Sequence, residues 1–163
     1  MKKITFILIA LITGTTFAQE NADATASAGV VTAIDIQQTA DLYFGAFLDS
    51  GAGSITLDPS TAGAGDDITY GIIGGSTPHY ATFNVLASEN VIFNVSTTAS
   101  LDLDGPGTET LSISSFKYNP SGTGAGTAVG DEVEIEVGGV LDIVGGETEG
   151  LYTGTFNVAV SYE

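Results

Sequence analysis

Apolar and polar positions alternate along most of the chain, and the most regular run is "GLYTGTFNVAVSYE" at residues 150–163. Tyr152, Phe156, Val158, Val160 and Tyr162 share one parity, with Gly154 as the gap in that row. Thr153, Thr155, Asn157, Ala159 and Ser161 take the other. Side chains two positions apart lie on the same face of a strand, so the pattern predicts a strand over 152–162 with one apolar face. Shorter runs of the same kind predict strands at 30–37, 41–48, 54–57, 68–73, 81–86, 91–95, 111–118, 132–137 and 140–144. Turn-forming clusters divide them: "SGAGS", "TAGAGDD", "GGSTP", "DGPG" and "NPSGTGAG". No window beyond the first eighteen residues carries a clean helical period.

The stretch "DEVEIEVGGVLDI" predicts a hairpin. Val133, Ile135 and Val137 point one way, and Glu132, Glu134 and Glu136 point the other. Gly138-Gly139 supplies the positive φ angles of a tight two-residue turn. Three glutamates on one face read as a solvated outer surface that also sets register, because a one-residue slip would bury all three.

Alternation begins early. Ala22, Ala24, Ala26, Ala28, Val30, Thr32, Ile34 and Ile36 share one parity, over a stretch longer than an ordinary strand. Two readings stand side by side. In one, residues 19–29 form an N-terminal extension that acts as a donor strand to a neighbour, and the domain occupies 30–163. In the other, a plain leader precedes an ordinary first strand near Val30. Many short strands, frequent turns and no helices predict an immunoglobulin-like antiparallel β-sandwich, with a closed β-barrel as the second choice.

Residues 1–18 stand apart from this pattern. Lys2 and Lys3 precede an apolar run at 4–12, and "TGTTFA" ends in the small Ala18. That order is a secretory signal peptide, and the run is too short to span a bilayer. Nothing later in the chain reads as a membrane-spanning helix, so the expected location is the cell surface or medium, reached through the periplasm. Cleavage after Ala18 leaves Lys117 as the single Lys or Arg against 20 acidic residues. Such a chain repels polyanions, which excludes nucleic acid and anionic lipid as partners. With no cysteine, it also lacks disulfides, thiolate nucleophiles and Cys-ligated zinc.

Candidate chemistry is sparse. The single histidine, His79, lies in "GGSTPHYATF" beside a proline turn, with no nucleophile at a recognisable spacing. The many acids present no identifiable pair for glycoside hydrolysis, and tryptophan is absent. The chain therefore reads as a non-enzyme. In "DLDGPGTE", Asp102, Asp104 and Glu109 surround a glycine turn, a candidate oxygen-ligand set for calcium without EF-hand spacing. "GAGDD", with Asp66 and Asp67, is a weaker version of the same.

Several segments resemble an exported bacterial family, domain of unknown function 4402. They are "ADLYFGAF" with "GSITLDPSTAG", "ATFNVLASENVIFNVS", "VGDEVEIEVGGVLDI" and "EGLYTGTFNVAVSYE". The resemblance implies export from Gram-negative bacteria and a β-sandwich, with no reaction attached; some relatives are regarded as fimbria-like. The last strand also resembles that of pilins assembled by the chaperone–usher route, with an aromatic at Tyr162 next to the end and Gly150 fourteenth from it. Pilins of that type often carry a cysteine pair, which this chain lacks. The resemblance implies that Gly150, Tyr152, Phe156, Val158, Val160 and Tyr162 serve strand pairing, with a periodic partner in Ala24, Ala26, Ala28 and Val30. It also implies self-association into a polymer or pairing with a periplasmic chaperone. The expectation is a fimbria-like or surface structural subunit. The alternative is a secreted ligand-binding or adhesive module for glycan or calcium.

Overall fold

The computed structural model describes residues 20–61, 65–89, 91–120, 126–127 and 132–163. The signal-peptide residues, with Lys2, Lys3 and Ala18, lie outside this set. The chain divides into two units, Met1–Val30 and Val31–Glu163. In the first, residues 20–30 are exposed throughout and form no strand.

The second unit is all-β in its described residues apart from one 3-10 turn, Pro59–Thr61. Its strands are β1 (Asp35–Ala40), β2 (Gly53–Leu57), β3 (Ala81–Leu86), β4 (Ile92–Thr97) and β5 (Leu101–Asp104). They continue with β6 (Thr110–Asn119), β7 (Gly126–Thr127), β8 (Glu132–Ile143) and β9 (Val158–Tyr162). Every paired neighbour is antiparallel. The larger sheet runs β1-β3-β8-β6-β5, with β2 also paired to β8, and the smaller runs β7-β4-β9. An antiparallel β-sandwich is what the alternation predicted.

The central strand corrects the hairpin. Residues 132–143 form one continuous strand through Gly138 and Gly139. Its first half pairs with β3, for example Ile135 with Phe83, and its second half pairs with β2, Leu141 with Ile55. Along the other side β6 runs from Asn119 opposite Glu136 to Ser112 opposite Asp142. The glycines sit where β8 exchanges one partner for the next. A Cβ on Gly138 would come 2.1 Å from the Leu57 carbonyl oxygen, and one on Gly139 would come 2.8 Å from that of Ser115. They are bare because backbone presses against them, not because the chain turns. The turn comes later, at Gly145 and Gly146, where φ is 91° and 89°.

Of the facing predicted for β8, Glu132 and Glu134 are exposed as expected, while Glu136 and Val133 are half-buried; Ile135 and Val137 are buried as expected, as are Leu141 and Ile143. These residues join two cores. Ala81, Val85, Phe93, Val95, Ile135 and Val137 form one. Phe44, Ile55, Leu57, Leu111, Ile113, Leu141 and Ile143 form the other. Each fully buried Val, Leu, Ile or Phe contributes about 1.5–3 kcal/mol relative to an exposed one, which is what holds a cysteine-free sandwich together.

Two predicted strands, 41–48 and 68–73, are irregular instead. They meet through one isolated bridge, Phe47 with Ile72, while Tyr43 bridges to His79 beyond the second segment. Gly45, at φ 88°, and Gly71, at φ 43°, turn the chain where a ladder would have continued.

Candidate functional site

Residues 150–162 keep their predicted parity but form no single strand. Tyr152, Phe156, Val158, Val160 and Tyr162 are all half-buried, and Thr153, Thr155, Asn157, Ala159 and Ser161 are all exposed. The segment starts on the large sheet. Tyr152 lies over Gly105, where a Cβ would come 2.1 Å from the ring, and its hydroxyl donates to the Thr148 carbonyl at 2.9 Å. Thr153 and Asp104 exchange backbone bonds at 2.9 and 2.8 Å. Gly154 then passes over Leu101 and Leu103, whose methyls would lie 3.1 and 3.0 Å from an added Cβ.

Beyond Gly154 the chain crosses to the small sheet. Phe156 stacks on Phe116 at 4.7 Å between ring centroids and meets Phe83 edge-on at 6.4 Å. Residues Val158–Tyr162 pair with β4, from Thr97 opposite Val158 to Phe93 opposite Tyr162. The crossing corrects the predicted unbroken strand at 152–162. One backbone edge can pair with only one neighbour at a time, and this segment uses two in turn.

The sheet edges are not alike. β1 carries Asp35 at its start, with Asp41 just beyond its end, and its pairing slips between Gln38 and Ala40, a bulge that spoils the edge as a template. β5 carries Asp102 and Asp104 and is met by Thr153. The outer side of β2 is met by Asp67 through Thr56. β9 carries no charge, proline or register shift within the strand, although Glu163 follows it directly as Asp41 follows β1. It is the end strand of its sheet among the described residues, its register with β4 is unbroken, and residues 150–162 contain no charged side chain and no proline. Val158, Val160 and Tyr162 lie half-buried against the first core. The geometry is that of a sheet able to accept one more strand.

Ala24, Ala26, Ala28 and Val30 are exposed and in no strand, and Val30 is 98% exposed. Ile34 and Ile36 pack against the first core, and the ladder begins at Asp35 rather than near Val30.

The proposed calcium ligands are not gathered either. Asp102 and Asp104 lie on the exposed face of β5, and Asp102 accepts a hydrogen bond from the Ser112 hydroxyl. Glu109 accepts from the Thr148 backbone N–H at 2.7 Å and the Tyr152 hydroxyl at 3.3 Å. Hydrogen bonding from Thr148 holds its carboxyl below the usual glutamate range. Among the described residues no three Asp, Glu or His side chains stand together as a metal site. Asp66 instead accepts the Tyr80 hydroxyl at 2.8 Å and the Asp58 N–H at 2.6 Å. Asp67 holds Thr69 at 2.7 Å. The His79 ring lies tilted beside Tyr43 at 5.5 Å between centroids and its Nδ1 lies 3.2 Å from the Thr77 carbonyl, so neither neighbour is a carboxylate.

Two polar links were not foreseen. Lys117 reaches across from β6 to Asp58 at 2.9 Å beside a shallow groove of about 270 Å³ lined by Ser60, Phe116 and Tyr118. The signal for it lay in composition, since one cation among so many acids will find a carboxylate. The second joins Thr32, Ser88 and Tyr162. No local pattern marks it, because its members are brought together only by the sandwich.

Among the described residues no helix is long and apolar enough to cross a membrane. No curated protein and no solved structure matches the chain. A family model does, over residues 34–162, which spans the sandwich from the residue before β1 to the end of β9. The chain belongs to the family described as "Domain of unknown function (DUF4402)".

Proposed function

We propose that this protein is an exported structural subunit of the fimbria-like kind, building a cell-surface assembly by pairing β-strands between copies. The observation that carries this reading is the unguarded outer edge of β9. Edge strands of soluble proteins are blunted by charge, proline or bulges because a bare edge recruits other chains. Here β1 and β5 carry acidic side chains within the strand, and β1 a register shift as well, whereas β9 carries neither within its five residues. A bare edge beside a half-covered core is a means of association through main-chain bonds, with alternate side chains setting register. Export is supported by Lys2, Lys3, the apolar run at 4–12 and Ala18. No catalytic step enters this reading.

The test is imaging of the native cell surface in negative stain with an antibody to this chain. Decorated fibres, and a ladder of sizes in native extracts, are expected. A freely diffusing monomer with no decorated structure refutes the assembly reading and favours the secreted binding module.

A further inference from the structure

We infer that Glu109 and Glu147 hold a calcium ion at the turn that follows β8. The site lies wholly within the sandwich unit and does not depend on strand pairing between copies. It differs from the ligand set expected from sequence, keeping Glu109 but not Asp102 or Asp104.

The inference starts from one oxygen. Glu147 Oε1 accepts the Val144 and Gly145 N–H groups at 2.7 and 2.9 Å. Its other oxygen, Oε2, is buried and meets no hydrogen-bond partner, the single side-chain polar atom in that position among the described residues. Buried polar atoms in folded proteins are satisfied almost without exception, by protein, ordered water or ion. The chain offers this one no cation. Lys117 is the single Lys or Arg outside the first eighteen residues, and Asp58 holds it at 2.9 Å. His79 lies beside Tyr43.

A second carboxylate lines the same place. A groove of about 220 Å³ is bounded by Glu109, Thr110, Val144, Gly145, Gly146 and Glu147. Glu109 Oε2 accepts the Thr148 N–H at 2.7 Å and the Tyr152 hydroxyl at 3.3 Å. Both carboxylates are therefore oriented by backbone donors of the 144–148 turn. Two negative charges fixed at one groove repel each other unless a positive charge joins them. Asp49 braces the turn without joining the pair, since its two oxygens are taken by the Gly51 and Gly146 N–H groups at 3.2 and 2.8 Å.

The donors select the ion. Thr110 and the Val144–Gly146 backbone add hydroxyl and carbonyl oxygens to the lining, and no nitrogen or sulfur ligand is among them. Oxygen-only donors suit a hard cation rather than a transition metal. Calcium takes about six to eight oxygens in adaptable geometry, with water completing the set, whereas magnesium demands a near-ideal octahedron and sheds its water reluctantly. An ion here would pin the end of β8 to the start of β6 and, through Tyr152, to the segment that leads to β9.

Terbium is the probe, because it enters calcium sites and emits when a nearby tyrosine absorbs. The chain has no tryptophan, so tyrosine is the sensitiser, and Tyr152 stands against Glu109. Emission should saturate at a single ion per chain and be displaced by calcium. At saturation Tyr152→Phe should emit far less than wild type; equal emission puts the ion elsewhere and overturns the inference. Glu147→Gln and Glu109→Gln should each weaken calcium at least about tenfold, the loss typical even of groups one step removed from a metal. Asp102→Asn should not. Unchanged affinity in Glu147→Gln overturns the inference, as does an equal loss in Asp102→Asn. In wild type, calcium at about 100 times its dissociation constant should raise the melting temperature by roughly 10 °C. Magnesium and sodium at matched ionic strength should do clearly less. Equal shifts from the three salts mean only screening of the acidic surface, and overturn the inference without any variant.

Discussion

Tyr162 donates its hydroxyl to the Thr32 carbonyl at 2.9 Å across 130 positions of sequence. The same oxygen accepts the Ser88 N–H at 2.8 Å, and the Ser88 hydroxyl accepts the Thr32 N–H at 2.6 Å. The entry to β1, the turn after β3 and the end of β9 are thus tied at one point. The tie fixes where the chain enters β1.

Tyr162→Phe keeps the ring in the core and removes both bonds of the hydroxyl. Water can reach the exposed Thr32 carbonyl, so the loss should be about 1 kcal/mol, or roughly 4 °C in melting temperature. Thermal unfolding followed by circular dichroism measures it, and an unchanged midpoint would show that the tie contributes nothing.

Val158 and Ala159 are neighbours with opposite roles. Val158→Asp puts a charge on the row facing the first core and should cost several kcal/mol, enough to prevent folding or accumulation. Ala159→Lys adds charge to the exposed face of the edge strand. It should leave unfolding within about 0.5 kcal/mol of wild type while abolishing fibres. Urea titration and electron microscopy read the two effects separately, and a folded Ala159→Lys variant that still forms fibres contradicts the assembly role of β9.

Gly138→Ala tests the partner exchange along β8. Its Cβ would meet the Leu57 carbonyl, which belongs to backbone and cannot swing aside. A loss of about 3 kcal/mol or more is expected. Gly146→Ala meets no atom but holds φ at 89°, and should cost only about 1 kcal/mol. Equal costs in urea unfolding would count against close packing at Gly138.

Asp58 governs part of the acid sensitivity. Hydrogen bonding from the Ser60 hydroxyl, then the bond from Lys117, hold its carboxyl below the ordinary aspartate value of 3.8. Because the folded value is depressed, the stabilisation is fully present above the unfolded value. It is lost as pH falls through the folded one. Asp58→Asn should therefore lower stability at neutral pH and flatten the decline below about pH 4. Glu109 and Asp67 are depressed as well, by hydrogen bonds from Thr148 and Thr69, so part of the acid limb should remain. Unfolding at a series of pH values compares the two proteins, and parallel curves would show that Asp58 has no part in the limb.

Parity was legible in the sequence because it is local. Whether Ile135 faces in and Glu134 faces out depends on strand period alone, and a single slip would reverse both. The same holds for the row from Tyr152 to Tyr162, which kept its face even where the strand broke. Partner choice was not legible, because it depends on which backbone edge lies free after the sheet has assembled. Gly138-Gly139 reads as a turn or as a bare strand with equal ease, and only the approach of Leu57 and Ser115 decides between them. Gly154 reads as a gap in a row until Leu101 and Leu103 pass beneath it. Asp102, Asp104 and Glu109 are near one another in sequence, yet strand geometry gives Asp102 to Ser112 and Glu109 to Thr148. Alternation, charge and the absence of cysteine are properties of the chain itself. The bare edge of β9 and the tie between Thr32 and Tyr162 exist only once two sheets face each other, because each is made by backbone and hydroxyl groups that carry no mark of their future partners.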